Sequence, residues 1–131
     1  MNGRLPAAAA VAAALTVLGC APSPGPAGSD ARHLGIQTRL LDGELVGFRV
    51  AMRMPATDEE VSTYADCAAA QYALIRGYGF ARHVRTTLDE EGGILRGDAV
   101  YTISPSLPRG LKTMDAEVVV ADCVETGIPT V

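Results

Sequence analysis

Thr57-Asp-Glu-Glu60-Val61-Ser-Thr-Tyr64-Ala-Asp-Cys67-Ala-Ala-Ala-Gln-Tyr72-Ala-Leu-Ile75-Arg76 is the stretch on which the fold turns. Thr57 reads as a helix N-cap, and Glu60, three residues on, completes a capping box. Asp58, Glu59 and Glu60 suit the positive end of the helix dipole. Val61, Tyr64, Ala65, Ala68, Tyr72 and Ile75 recur at helical spacing and predict one apolar stripe. The small alanines let such a helix lie close on a sheet. Arg76 suits the last turn, and Gly77 or Gly79 supplies the stop. A helix with one apolar stripe must bury it against another layer, so the flanking segments have to supply a sheet.

They read that way. Before the helix, Leu34, Ile36 and Leu40 form a short apolar segment, Asp42-Gly43 signals a turn, and residues 45–54 alternate. Val46, Phe48, Val50, Met52 and Met54 share one face, while Gly47, Arg49, Ala51 and Arg53 share the other. One face buried and one solvated is the pattern of an antiparallel sheet. After the helix come a strand at residues 80–88, a turn at Asp89-Glu90-Glu91-Gly92-Gly93, and a strand at 94–104. A longer loop at 105–110 leads to a last strand at 115–125. Val118, Val119 and Val120 make that strand apolar on both faces, as in a central position. The expected fold is α+β: one helix packed on a mainly antiparallel sheet of four to five strands, in the order β-β-α-β-β-β.

The N-terminus carries an address. Residues 1–19 combine one cation, Arg4, with an apolar run from Ala7 to Leu18 and a small residue, Gly19. These are the parts of an export signal, and the run is well short of the roughly 20 apolar residues of a membrane span. Val17-Leu18-Gly19-Cys20 resembles the lipobox of bacterial lipoproteins. The resemblance implies removal of residues 1–19 and acylation of Cys20 as the new first residue. Two or three acyl chains hold a protein durably, at ~0.8 kcal/mol per buried methylene. Residues 20–33 are then the lipidated cysteine and a Pro/Gly/Ser tether reaching at most ~40 Å at about 3.1 Å per residue. His33, at its end, is expected on the surface. Ala21 after the cysteine suggests the outer membrane, with the domain facing the periplasm. The alternative is an ordinary secretory peptide cut near Ala21, leaving a soluble periplasmic protein.

Residues 34–131 make one domain of common size. Tyr64, Ala68-Ala69-Ala70, Tyr72 and the Gly77-Tyr78-Gly79-Phe80 turn also resemble small uncharacterised alphaproteobacterial envelope lipoproteins, a likeness that implies no activity. With a formal net charge of −4, the chain is not built for nucleic acid. Scarce aromatics and the absence of Trp argue against an extended carbohydrate groove. With Cys20 lipidated, Cys67 and Cys123 form an even pair, expected as one disulfide in an oxidising compartment. The alternative is two buried thiols.

Catalysis finds little support in the sequence. The two histidines are His33 and His83, and no Gly-x-Ser-x-Gly elbow places a serine for a His83 triad with Asp98 or Asp122. Metal-ligand spacing is absent, Asp89-Glu90-Glu91 lacks the alternation of a calcium loop, and Glu90-Glu91 has no apolar surroundings to raise a pKa. No cofactor or catalytic residue is expected. The alternation instead places Arg49, Arg53, His83, Arg85 and Arg96 on the solvated face of the sheet. Such a cluster suits an anionic partner: a protein, a glycan or lipid phosphates. A merely solubilising charged face is the alternative. The expected function is therefore a membrane-anchored envelope lipoprotein with a non-catalytic interaction domain, with a periplasmic small-ligand-binding domain as the rival.

Overall fold

The computed structural model of the chain describes Asn2, Gly3, Gly19 and residues 32–131. Cys20, the rest of the expected signal segment and nearly all of the expected tether lie outside the described residues. The elements are β1 (His33–Leu40), β2 (Leu45–Arg53), α1 (Asp58–Ile75), β3 (Phe80–Glu91), β4 (Ile94–Ser104), β5 (Thr113–Asp115) and α2 (Ala116–Thr126). The five strands form one antiparallel sheet in the order β1-β2-β4-β3-β5. Helix α1 packs across one face of it, so the fold is α+β as expected. The β3–β4 hairpin turns on Gly92-Gly93, both in left-handed backbone (φ 62° and 75°). Such a two-residue turn matches the twist of its strands. Residues 89–91 consequently belong to β3 and not to the turn.

The core follows from the alternation in β2. Val46, Phe48, Val50 and Met52 are buried with Leu95, Ala99, Tyr101 and Ile103 of β4 and Ala81 of β3, against Val61, Tyr64, Ala65, Ala68, Ala69 and Ala73 of α1. The capping box of Thr57 and Glu60 is present in both halves. The alanines bring α1 so close that a Cβ added to Gly97 would stand 2.7 Å from Val61 Cγ1. Phe48 meets Tyr72 and Tyr101 edge to face, at 5.7 and 5.9 Å between ring centres. The stripe ends a turn earlier than its spacing suggests, because Ile75 is 61% exposed.

The last expected strand is instead mostly helix. Only Thr113–Asp115 pairs with the sheet, and residues 116–126 are α2. Asp115 caps α2 by accepting from the backbone N–H groups of Glu117 and Val118 (3.0 and 3.3 Å). Gly127 ends it in left-handed backbone at φ 69°. Ala116, Val119, Val120 and Cys123 turn inward at helical spacing, while Val118 and Val124 are exposed. The β-branched triplet therefore yields to the caps and to the helical face, as tertiary packing often overrides local propensity.

Helix α2 packs against the flank of α1, and the Cys67–Cys123 disulfide joins the two, with Cα atoms 6.0 Å apart. Cys67 lies off the centre of the α1 stripe and is still fully buried, because α2 covers that flank. His33 also departs from its expected place. It opens β1, half-buried, with its ring 4.5 Å from that of Tyr64. Arg32 before it donates to Glu60 (2.8 Å) and to the Pro55 carbonyl (2.7 Å), fastening the start of the domain to the head of α1.

Candidate functional site

Among the described residues, no helix covers the face of the sheet turned away from α1. Strand register places Arg49 and Arg53 of β2, Arg96 of β4 and Arg85 of β3 on it, as the sequence predicted, and adds Arg39 and Arg82. Asp98 in the middle of β4 receives Arg49 (3.4 Å) and Arg39 (3.5 Å). Arg82 donates to the Arg109 carbonyl at 2.9 Å. Arg53, Arg85 and Arg96 have no ion pair or side-chain hydrogen bond among the described residues. Arg49, Arg96, Gln37, Thr87, Asp89 and Asp98 line a shallow hollow of about 530 Å³ on this face. Three acids, Asp89, Glu91 and Asp98, share this face with the six arginines, while α1 and α2 on the other side carry Asp58, Glu59, Glu60, Asp66, Glu117, Asp122 and Glu125.

His83 does not belong to this arginine cluster. The β3–β4 register slips by one residue between His83 and Arg85. Such a bulge reverses the alternation, because side chains change face at every residue. His83 therefore pairs with Tyr101 on the helix face, with ring centres 5.2 Å apart, while Arg85 stays on the open face opposite Val100. A strictly alternating reading of 80–88 has no means of placing that extra residue.

On the helix face the bulge builds a second site, for which no sequence pattern stands out. A cleft of about 350 Å³ opens between α1, β3, the segment before β5, and α2. Ser62 and Asp66 line it from α1, His83 from β3, Lys112 and Met114 from the segment around β5, and Val119 from α2. The buried Tyr101 hydroxyl donates to Asp66 Oδ1 at 2.6 Å. His83 Nε2 lies 2.7 Å from Thr86 Oγ1, and its Nδ1 is buried without a partner. The His83 backbone N–H donates to the Lys112 carbonyl at 3.1 Å. Lys112 is held at φ 57°, a left-handed conformation unusual for a side chain with a Cβ. Strained non-glycine residues and bulges both concentrate at functional sites.

Burial pushes the Asp66 carboxyl above its ordinary range, and the bond from Tyr101 and the charges of His83 and Lys112 only partly oppose this. Burial likewise lowers His83, helped by Lys112 and opposed by Asp66. The shift favours the neutral imidazole. The phenol of Tyr101 is raised by burial and by Asp66, and stays a donor at every working pH. A nucleophilic triad is not assembled. His83 Nε2 does meet the Thr86 hydroxyl, but Asp66 bonds to Tyr101 and not to His83, so among the described residues no carboxylate orients the imidazole as a triad requires. Among the described residues no group of three His, Cys, Asp or Glu side chains converges to hold a metal. No described helix is long and apolar enough to cross a membrane.

The family model of the YNQ4 C-terminal domain matches residues 33–127, so the chain belongs to that family. It is also similar to the "Uncharacterized 26.9 kDa protein in nqo8 5'region" of Paracoccus denitrificans, with 38% identity over 66 residues. That match covers 50% of this chain and 26% of the relative, about a quarter of the relative's length. No solved structure matches the chain.

Proposed function

We propose that this member of the YNQ4 C-terminal domain family is the folded head of a lipid-anchored envelope protein that works by binding. Its arginine-bearing sheet face takes an anionic partner, and it has no catalytic role. The observation that carries the reading is the sorting of charge across the sheet. Six arginines against three acids face outward on the side that no described helix covers, three of the arginines without a bond among the described residues, while the helical layer is acidic. Guanidinium groups already turned to solvent can form bidentate bonds with carboxylate or phosphate at little reorganisation cost. The Cys67–Cys123 disulfide suits an oxidising compartment. The Val17-Leu18-Gly19-Cys20 motif supports an anchor at Cys20 facing the periplasm, on the outer membrane by the nature of Ala21.

Two measurements test this reading. The intact mass of the protein extracted from membranes should equal a chain starting at Cys20 plus acyl chains. A lipid-free mass with a later N-terminus refutes the anchor. For the face, Arg85→Glu with Arg96→Glu removes two side chains that hold nothing in the fold. It should abolish capture of an in-cell cross-linked partner while leaving the melting temperature unchanged. Undiminished capture by the folded double variant refutes the arginine face as the docking surface.

A further inference from the structure

The cleft at Asp66 lies on the opposite side of the sheet from the arginines, and its chemistry is different. It presents one acid and one base, Asp66 and Lys112, to the same space. The two do not neutralise each other: no ion pair within 4.0 Å joins them among the described residues. Tyr101 occupies Asp66 Oδ1 and thereby fixes the orientation of the carboxyl, and among the described residues Oδ2 has no partner. The bulge fixes the other pole. The Lys112 carbonyl is bonded to the His83 N–H, which holds the backbone of Lys112 in its left-handed conformation beside the cleft.

Each simpler ligand leaves one pole unmatched. An anion would meet Lys112 with an uncompensated Asp66 beside it, and a cation would meet the converse. A metal ion would find one carboxylate and one imidazole, and no third His, Cys, Asp or Glu among the described residues. We propose that this cleft binds a small zwitterion of the α-amino-acid class, with its ammonium on Asp66 and its carboxylate on Lys112 and the Ser62 hydroxyl. Met114 and Val119 supply an apolar wall for a side chain. About 350 Å³ stands at the small end of ligand sites, which run from roughly 300 to 1,000 Å³. The size fits a single amino acid better than a peptide. The inference holds whether or not the arginine face has a partner.

Thermal unfolding of the full chain tests it. The probes are the twenty free α-amino acids at 10 mM, each beside its N-acetyl form and its methyl ester. At least one free amino acid should raise the melting temperature by about 5 °C or more, the rise expected at about four or more times the dissociation constant. The two blocked forms of that amino acid, each lacking one charge, should give no shift. Lys112→Met, at an exposed position outside the core, should abolish the effect while the variant still unfolds in one cooperative transition. Asp66→Asn should abolish it as well if that variant folds. The proposal is overturned if no free amino acid shifts the transition, or if a blocked form stabilises as well as its parent. It is equally overturned if the shift survives in Lys112→Met.

Discussion

Replacing Tyr101 with Phe removes one oxygen from the interior and nothing from the packing. The lost atom is the donor to Asp66 Oδ1 at 2.6 Å, so the variant keeps the edge-to-face contacts with Phe48 and His83 and leaves a half-buried carboxyl short of a partner. Hydrogen bonds to charged groups contribute about 1.5–3 kcal/mol, and an orphaned buried acceptor costs about 1–3 kcal/mol. A loss of about 2 kcal/mol at pH 7 is therefore expected, which lowers the melting temperature of a domain this size by roughly 10 °C. The pH dependence identifies the cause. Burial raises Asp66 from its ordinary 3.8, while Tyr101 is the first influence holding it down. Because the folded carboxyl holds its proton more tightly than the unfolded one, stability falls as pH rises from 3.8 through the raised value. Tyr101→Phe pushes that value higher and widens the window. The difference between variant and wild type is thus smallest near pH 4 and grows with pH. His83 and Lys112 also face Asp66, but they are common to both proteins. Urea unfolding of the two from pH 4 to pH 8 measures the difference. A loss that is constant across this range, or absent, refutes the account of the Asp66 site.

Removing the disulfide by Cys67→Ala with Cys123→Ala frees a separation of 56 residues and should cost on the order of 4 kcal/mol. Chemical denaturation measures it, and a loss under about 1 kcal/mol contradicts a stapling role. Gly97→Ala sets a methyl against Val61 Cγ1 at 2.7 Å, an overpacking worth about 1–3 kcal/mol. Combined with Val61→Ala it should destabilise by less than the sum of the two single changes, and strict additivity contradicts the close approach. Asp115→Ala deletes the bonds to the N–H groups of Glu117 and Val118 and should cost about 1 kcal/mol, read in the same unfolding assay.

The parts of the fold that local chemistry dictates were legible. Thr57 and Glu60 announced α1, the alternation of residues 45–54 announced β2, and four of the five expected cationic residues stand on the face that alternation gave them. Two non-local features were not legible. The first is the switch from strand to helix at Ala116. Three consecutive valines favour a strand by propensity, and what decides against it is the packing of α2 on the flank of α1. Asp115 and Gly127, a cap at each end of an eleven-residue helix, were the available signal. The second is the bulge after His83. One extra residue in β3 exchanges the faces on either side of it, and no residue type at 83–85 marks it. The cleft depends on both features, since His83 reaches it through the bulge and Val119 through α2. A site assembled from two such features has no contiguous motif.

The one-sided layering explains why the outer face of the sheet is polar, but not why its charges are sorted. A face turned to water needs polar groups of either sign, and interspersed acids and bases serve solubility as well as arginines do. Concentrating like charge is mildly unfavourable, and pairing would relieve it. Asp89 stands across from Arg96 in the strand register, yet no ion pair joins them. Asp98 takes two arginines and leaves Arg53, Arg85 and Arg96 without one among the described residues. Meanwhile seven acids lie on the two helices, where only some serve a helix N-terminus as Asp58, Glu59, Glu60 and Glu117 do. Helix chemistry thus accounts for part of the acidic side, and nothing in the folding of the sheet accounts for the basic side. A cationic face on a net-acidic chain is the arrangement that directs one surface, and not the whole molecule, toward an anionic partner.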